Sequence, residues 1–131
     1  MTKTNLRLLD ANLNRLREGI RVVEDIYRYI FNDKEIALKL KILRHDSRID
    51  QYNELLDSRD IKNDVLKTST PSEQKRTDLL SIVIANFKRA QESARVLEEF
   101  GKLIDTQTSE NFKSIRYELY DLEKSISKHK I

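Results

Sequence analysis

Two stretches of this chain are versions of one another: ANLNRLREGIRVVED from Ala11 and ANFKRAQESARVLEE from Ala85. Around both, apolar residues recur at alternating steps of three and four. In the first copy they are Leu6, Leu9, Leu13, Leu16, Ile20, Val23, Tyr27 and Ile30. In the second they are Leu80, Val83, Phe87, Ala90, Ala94, Leu97, Gly101 and Ile104. That spacing lays one apolar seam along an α-helix. No strand pattern competes with it, so the chain must be built from amphipathic helices that bury their seams on each other.

The first helix is expected to stop near Asn32-Asp33, with Asp33 capping a second helix. The apolar positions of that second helix include Leu38, Ile42, Ile49, Tyr52 and Leu56. From Asp57 to Pro71 the pattern breaks into Ser, Asp, Asn and Thr, which reads as one long connection. Ser72 is the candidate N-cap of the third helix, and after Thr106–Thr108 a fourth carries Phe112, Ile115, Leu119, Leu122 and Ile126. The repeat continues into it: KLKILRHD from Lys39 lies over NFKSIRYE from Asn111, matching Leu40 with Phe112, Leu43 with Ile115 and Arg44 with Arg116. The expected fold is all-α, a four-helix up-down bundle made of two pseudo-repeated helical hairpins. They span about 5–57 and 72–129, joined by the connection 58–71 in a single helical domain, 1–131. Ala90, Ala94 and Gly101 replace Leu16, Ile20 and Tyr27 on the seam, so neighbours should approach the third helix more closely than the first.

Composition agrees. Two Gly and one Pro in 131 residues leave little for tight turns. The absence of Cys excludes disulfides and thiolate metal sites. Charges of both signs interleave, with no Lys/Arg run longer than two, so the net charge of +3 does not argue for nucleic acid. The N-terminal MTKTNLRLLDANLNR is charged within its apolar repeat and is neither a signal peptide nor a membrane span. A soluble cytoplasmic protein with no nucleic-acid or membrane partner is expected.

The polar residues shared by the two copies form a ladder at every third position: Asn12, Arg15, Glu18, Arg21, Glu24, and Asn86, Arg89, Glu92, Arg95, Glu98. Each step turns about 300° around a helix, so the row slants away from the seam and returns to it. Two readings stand. Ion pairs on a solvated face would explain alternating charge. They would not require the same residue types, nor Arg at all four basic rungs, which suits bidentate recognition of phosphate or carboxylate. In the second reading an approximate twofold brings both ladders to one polar cleft, with Arg15, Arg21, Arg89 and Arg95 around anions. Glu18 and Glu92 would then orient those guanidiniums or reach a metal.

Further candidates are Arg44-His45-Asp46, as a phosphate-binding and proton-transfer cluster, although His45 also falls at seam spacing between Ile42 and Ile49, where a buried structural His is the commoner outcome. Arg59, Asp60 and Asp64 sit in the long connection, where site residues concentrate and solvated turns are equally common. His129, near the end of the chain, carries no role. No Walker A sequence, GxGxxG, Ser-His-Asp order or Glu-x-x-His spacing is present. A metal would be Mg²⁺, shared between carboxylates and ligand phosphates.

The set LDANLNRLREGIRVVED, LKILRHD, SRD, DV, ANFKRAQESARVLEEF and IRYELYDLEK resembles the small helical hydroxymethylpyrimidine phosphate kinase of bacterial thiamine biosynthesis. That domain is often fused in front of thiamine phosphate synthase and differs from the larger ribokinase-like enzyme of the same step. The resemblance covers nearly the whole chain; Leu66 stands where the family commonly has Gly after Asp64-Val65. It implies a phosphotransferase moving the γ-phosphoryl group of ATP, with Mg²⁺, onto 4-amino-5-hydroxymethyl-2-methylpyrimidine phosphate. Such a transfer needs anion positioning and charge neutralisation more than a base. Under it Arg15, Arg21, Arg89, Arg95, Glu18 and Glu92 take the catalytic role. Asn12, Asn86, Arg44, His45, Arg59 and Arg116 bind substrate, and Asp60 and Asp64 are second choices for metal. A homodimer and a functional link to thiamine phosphate synthase are compatible with the resemblance. The alternative is a non-catalytic helical module that binds an anionic metabolite or docks on that synthase. A third reading is a helix-mediated interaction domain.

Overall fold

The computed structural model describes residues 1–127; the end of the second hairpin and His129 lie outside them. Among the described residues every regular element is helical. Helix α1 spans Lys3–Asp25 and runs into a π-helical turn, Ile26–Ile30. Beyond it lie α2 (Lys34–Asp46), α3 (Tyr52–Ser58), a one-turn α4 (Pro71–Gln74), α5 (Leu79–Gly101) and α6 (Thr106–Ser127). Thr2 caps α1 by accepting from the Asn5 N–H at 3.1 Å. Asp33 accepts from the Ile36 N–H at 3.1 Å, so the expected stop and restart at Asn32-Asp33 are both present. Asn32 makes that corner with φ of 52°, a left-handed conformation that Asn tolerates better than most residues.

α1 packs along α5, α2 flanks α1, α6 flanks α5, and α2 meets α6 lightly. The Asn111 amide donates to the Asp46 carbonyl at 3.2 Å, which places the end of α2 beside the start of α6. α2 and α6 therefore run antiparallel, and α5 runs in the direction of α2. Simple up-down alternation is not what the chain does, because the long connection carries it back along the bundle before α5 begins. The seam is buried as expected: Leu9, Leu16, Ile20, Phe87, Ala90, Ala94, Leu97, Phe112 and Leu119 are all 1% exposed or less. Removing one such Leu or Phe from water is worth about 1.5–3 kcal/mol. The close approach to α5 is present too. A Cβ on Gly19 of α1 would stand 3.1 Å from the Asn86 carbonyl oxygen and 3.4 Å from the Ala90 Cβ, so glycine and alanine together set that spacing.

Three expectations fail. The second helix does not use Leu38, Ile42, Tyr52 and Leu56 as its seam: they are 49%, 51%, 70% and 40% exposed, and Ala37, Leu40, Leu43 and Leu55 are buried instead. Nor is it continuous. It stops at Ser47, whose hydroxyl donates to the Leu43 carbonyl at 2.7 Å, and restarts as α3. The third helix is capped by Asp78 and not by Ser72. Asp78 accepts from the Ser81 N–H at 2.8 Å and Ser81 Oγ accepts from the Asp78 N–H at 3.2 Å, a reciprocal capping box.

Candidate functional site

The repeated ladder divides into committed and uncommitted rungs. At its start, Asn12 and Asn86 make the same local bond, each side-chain amide donating to the carbonyl four residues earlier: Leu8 at 3.0 Å and Ile82 at 2.8 Å. At its end, Glu24 and Glu98 are buried, and each receives an Arg from the second helix of its own hairpin. Arg44 reaches Glu24 through Nε at 2.7 Å and Nη2 at 3.2 Å. Arg116 reaches Glu98 through Nε at 3.0 Å and Nη2 at 2.8 Å. Hydrogen bonding to Glu24 holds Arg44 above its ordinary range; the Tyr120 hydroxyl and then Glu98 do the same for Arg116. Arg44 and Arg116, expected on substrate, thus each tie the two helices of their own hairpin.

The fourth rung is tied down as well. Arg21 pairs with Asp25 at 3.0 Å; Arg95 pairs with Glu98 at 3.0 Å and Glu99 at 3.6 Å. Only the middle remains. The side chains of Arg15, Glu18, Arg89 and Glu92 are exposed, and make no hydrogen bond or ion pair among the described residues.

Arg15 and Glu18 face a cavity of about 690 Å³ between the first half of α1 and the connection after α3. A ligand site of small-molecule size has this volume. Its wall is pinned to α1 twice. Arg59 forks onto Asp10, Nε to Oδ2 at 2.8 Å and Nη2 to Oδ1 at 2.9 Å, and Arg7 donates to the Asp60 carbonyl at 2.8 Å. The Asp10 hydrogen bond raises the Arg59 pKa above its ordinary value, with Glu18 adding a smaller attraction. Asn12, Ile61 and Asp64 also line the cavity.

Of the other expected site residues, Arg21, Asn86, Arg89, Glu92, Arg95, Arg44, His45 and Arg116 do not line this cavity, so it does not bring the four ladder arginines together. His45 is exposed on α2 and not a core histidine. Asp60 and Asp64 both line the cavity but do not build a metal site. Asp60 accepts from the Asn63 N–H at 3.2 Å and from its amide at 2.7 Å, which holds its pKa below the usual carboxylate range, and Asp64 accepts from the Leu66 N–H at 2.9 Å. No group of three or more His, Asp or Glu converges among the described residues. Arg7 and Asp10 were missed by sequence reasoning. For Arg7 the signal was available: Thr4, Arg7, Ala11, Arg15 and Glu18 recur at steps of three and four beside the seam, marking a second stripe on the same helix, from which Asp10 is offset by one position.

Residues 7–125 match the model of the ThiD2 family. The chain belongs to the ThiD2 family. Its relatives are proteins of thiamine biosynthesis. It is 42% identical over 124 residues to a thiamine-phosphate synthase of Rhodopirellula baltica, covering 91% of this chain and 33% of that protein. It is 41% identical over 122 residues to one of Thermosynechococcus vestitus, covering 92% and 35%, and 38% identical over 124 residues to one of Nostoc sp., covering 94% and 35%. The chain thus spans about a third of the length of these relatives. No solved structure matches it. These names correct the kinase expectation. Relatives matching more than nine-tenths of the chain are called thiamine-phosphate synthases, so neither phosphotransfer nor ATP as cofactor is supported. Among the described residues no helix is long and apolar enough to cross a membrane.

Proposed function

We propose that this ThiD2-family chain works in thiamine-phosphate synthesis as a substrate-binding helical part of a thiamine-phosphate synthase. Its ligand is a phosphorylated aminopyrimidine, the ring that thiamine phosphate carries. One observation supports this above the rest: Arg15 stands unengaged on the wall of the α1 cavity while Arg7, Asp10 and Arg59 around it are fixed by hydrogen bonds. A guanidinium held ready over a cavity of this size suits a phosphate monoester or diphosphate.

The remaining lining fits the ring. Asn12 spends its amide hydrogen on the Leu8 carbonyl, which leaves its side-chain oxygen to accept from an exocyclic amine. Leu8 and Ile61 supply apolar surface for the ring faces. Arg59 uses its Nε edge on Asp10, and its Nη1 stays available to a second phosphate oxygen. Mg²⁺ would come with the ligand's own phosphates, and Glu18 is the cavity carboxylate with no hydrogen bond.

The test is calorimetry of the purified chain with thiamine phosphate and with the pyrimidine monophosphate. Saturable binding of at least one, weakened tenfold or more in Arg15→Ala, is expected; one lost bidentate charge-assisted contact has that size. No binding of either compound at millimolar concentration overturns the proposal. In a mixture with a separately made synthase, the chain should also raise the rate of thiamine phosphate formation at limiting pyrimidine.

A further inference from the structure

The second helix of hairpin 1 is apolar on two opposite sides. Ala37, Leu40 and Leu43 are buried in the core, whereas Leu38 and Ile42, around the other side, stand half out of water. α3 repeats the arrangement, with Leu55 buried and Tyr52 and Leu56 exposed. Only residues 47–51 separate the two helices and both pack on α1, so their exposed apolar residues are neighbours on the outside of the hairpin. Hairpin 2 shows that the scaffold does not need this face. In the register that sets Lys39 over Asn111, Leu38 and Ile42 lie over Glu110 and Ser114, both exposed. The same design closes with polar residues there, so apolar ones on α2 mark a surface that something else covers.

The charges identify the partner. From Lys34 to His45 the exposed side chains include Lys34, Lys39 and Lys41 against Glu35 alone, Arg44 being held by Glu24. From Asp46 to Asp57 they include Asp46, Asp50, Glu54 and Asp57 against Arg48 alone. Apart from Lys39 with Glu35 at 3.5 Å, none of these charges is paired among the described residues. The strip is basic at one end and acidic at the other, which makes it its own complement. A copy turned about a twofold lays its acidic end on the basic end, and the match occurs twice. Shape agrees with charge. Beside Leu38 and Ala37 the basic end holds a groove of about 370 Å³ rimmed by Arg28, Lys34 and Lys41. The acidic end presents Tyr52, a ring 70% exposed.

We infer that the chain pairs with a second copy of itself through the outer face of α2 and α3. The two strips run antiparallel about a twofold, and Tyr52 of each copy enters the basic groove of the other. A ring among ammonium and guanidinium groups gains cation–π attraction as well as burial. α2 and α3 supply 13 and 7 residues, about 30 Å of helix, enough to carry one side of an interface of about 800 Å². Its large apolar anchors are few, so the pairing is weak, in the micromolar range. None of the residues in this strip lines the Arg15 cavity, so the pairing is independent of the proposed function.

Sedimentation equilibrium between about 5 and about 500 μM chain decides the matter. The wild type should move from the mass of one chain towards that of two. Leu38→Glu with Ile42→Ser, the residues that hairpin 2 carries, should weaken pairing about tenfold or more, and so should Tyr52→Ala. Circular dichroism and unfolding in dilute solution should stay as in the wild type, because the face is exposed in the single chain. Lys34→Glu with Lys41→Glu leaves the strip acidic at both ends, and Asp50→Lys with Asp57→Lys leaves it basic at both ends. Each of these variants alone should stay monomeric, and their equimolar mixture should regain the pairing. A wild type that is monomeric at the highest concentration overturns the pairing. So does a dimer that survives both charge variants, or a mixture that fails to associate.

Discussion

The two hairpins share an internal design and part ways at their second helices. In both, a buried Glu near the end of the first helix accepts a forked Arg from the second. In hairpin 2 the second helix, α6, then runs on without interruption to Ser127. In hairpin 1 it breaks between Ser47 and Gln51, and α3 turns the chain back over the first half of α1. That break delivers Arg59 to Asp10 and closes the cavity on one hairpin only. The repeat supplies a scaffold with matching arginines, and the broken helix walls a cavity beside one copy. Residues retained in both copies mark shared requirements, while the departures mark where a ligand can be surrounded.

The largest expected effects test the shared part. Glu24→Ala and Glu98→Ala should each cost about 3–5 kcal/mol in urea unfolding, since each strands a mostly buried guanidinium. Costs that differ by more than about half between the two would break the claim that the pairs are equivalent. Next comes Leu40→Ala, expected to cost about 2–5 kcal/mol, against less than about 0.5 kcal/mol for Ile42→Ala on the exposed face.

That second contrast also shows what was legible in the sequence. The α2 segment KEIALKLKILRHD is apolar on too many sides for spacing alone to choose its face, and the spacing chose wrongly. The repeat had the answer, because it set Leu40 and Leu43 over Phe112 and Ile115, and all four are buried. Where period and repeat agreed, along α1, α5 and α6, the seam was read correctly except at its ends, where Ile30 and Leu80 are exposed. Of the site, Arg15 and Glu18 were visible as retained rungs and Arg59 as a loop residue. The partnership of Arg59 with Asp10 was not, because the residues lie 49 positions apart and only the break in the helix joins them.

Smaller effects sharpen the difference between the hairpins. Asp10→Ala should cost about 1 kcal/mol, as the Arg59 side chain is 40% exposed and partly screened. Its signature is local: amide exchange should speed up at 59–66 and stay unchanged in α6. Smallest is Tyr27→Phe. The Tyr27 hydroxyl is buried in the π-helical turn of hairpin 1 without a hydrogen-bond partner among the described residues, so its removal should be neutral or stabilising by up to about 1 kcal/mol. Burial, and then the charge of Asp33, push its pKa upward. A raised folded pKa means that the unfolded chain ionises first. Stability from this group is therefore complete below about pH 10 and lost as pH rises through the folded pKa. Tyr27→Phe should flatten that alkaline loss in a thermal-melt series, and an unchanged slope would show that another group governs it.

The Glu–Arg pairs have a further consequence for how the chain finds its shape. Their partners are 20 and 18 residues apart, so each closes within one hairpin, whereas the hairpins meet chiefly through the apolar seam around Gly19 and Ala90. Register inside a hairpin is specified by charge at short range, and the joining of hairpins by shape at long range. The chain thus needs one set of local instructions, read twice, and a single fitted surface to bring the two readings together.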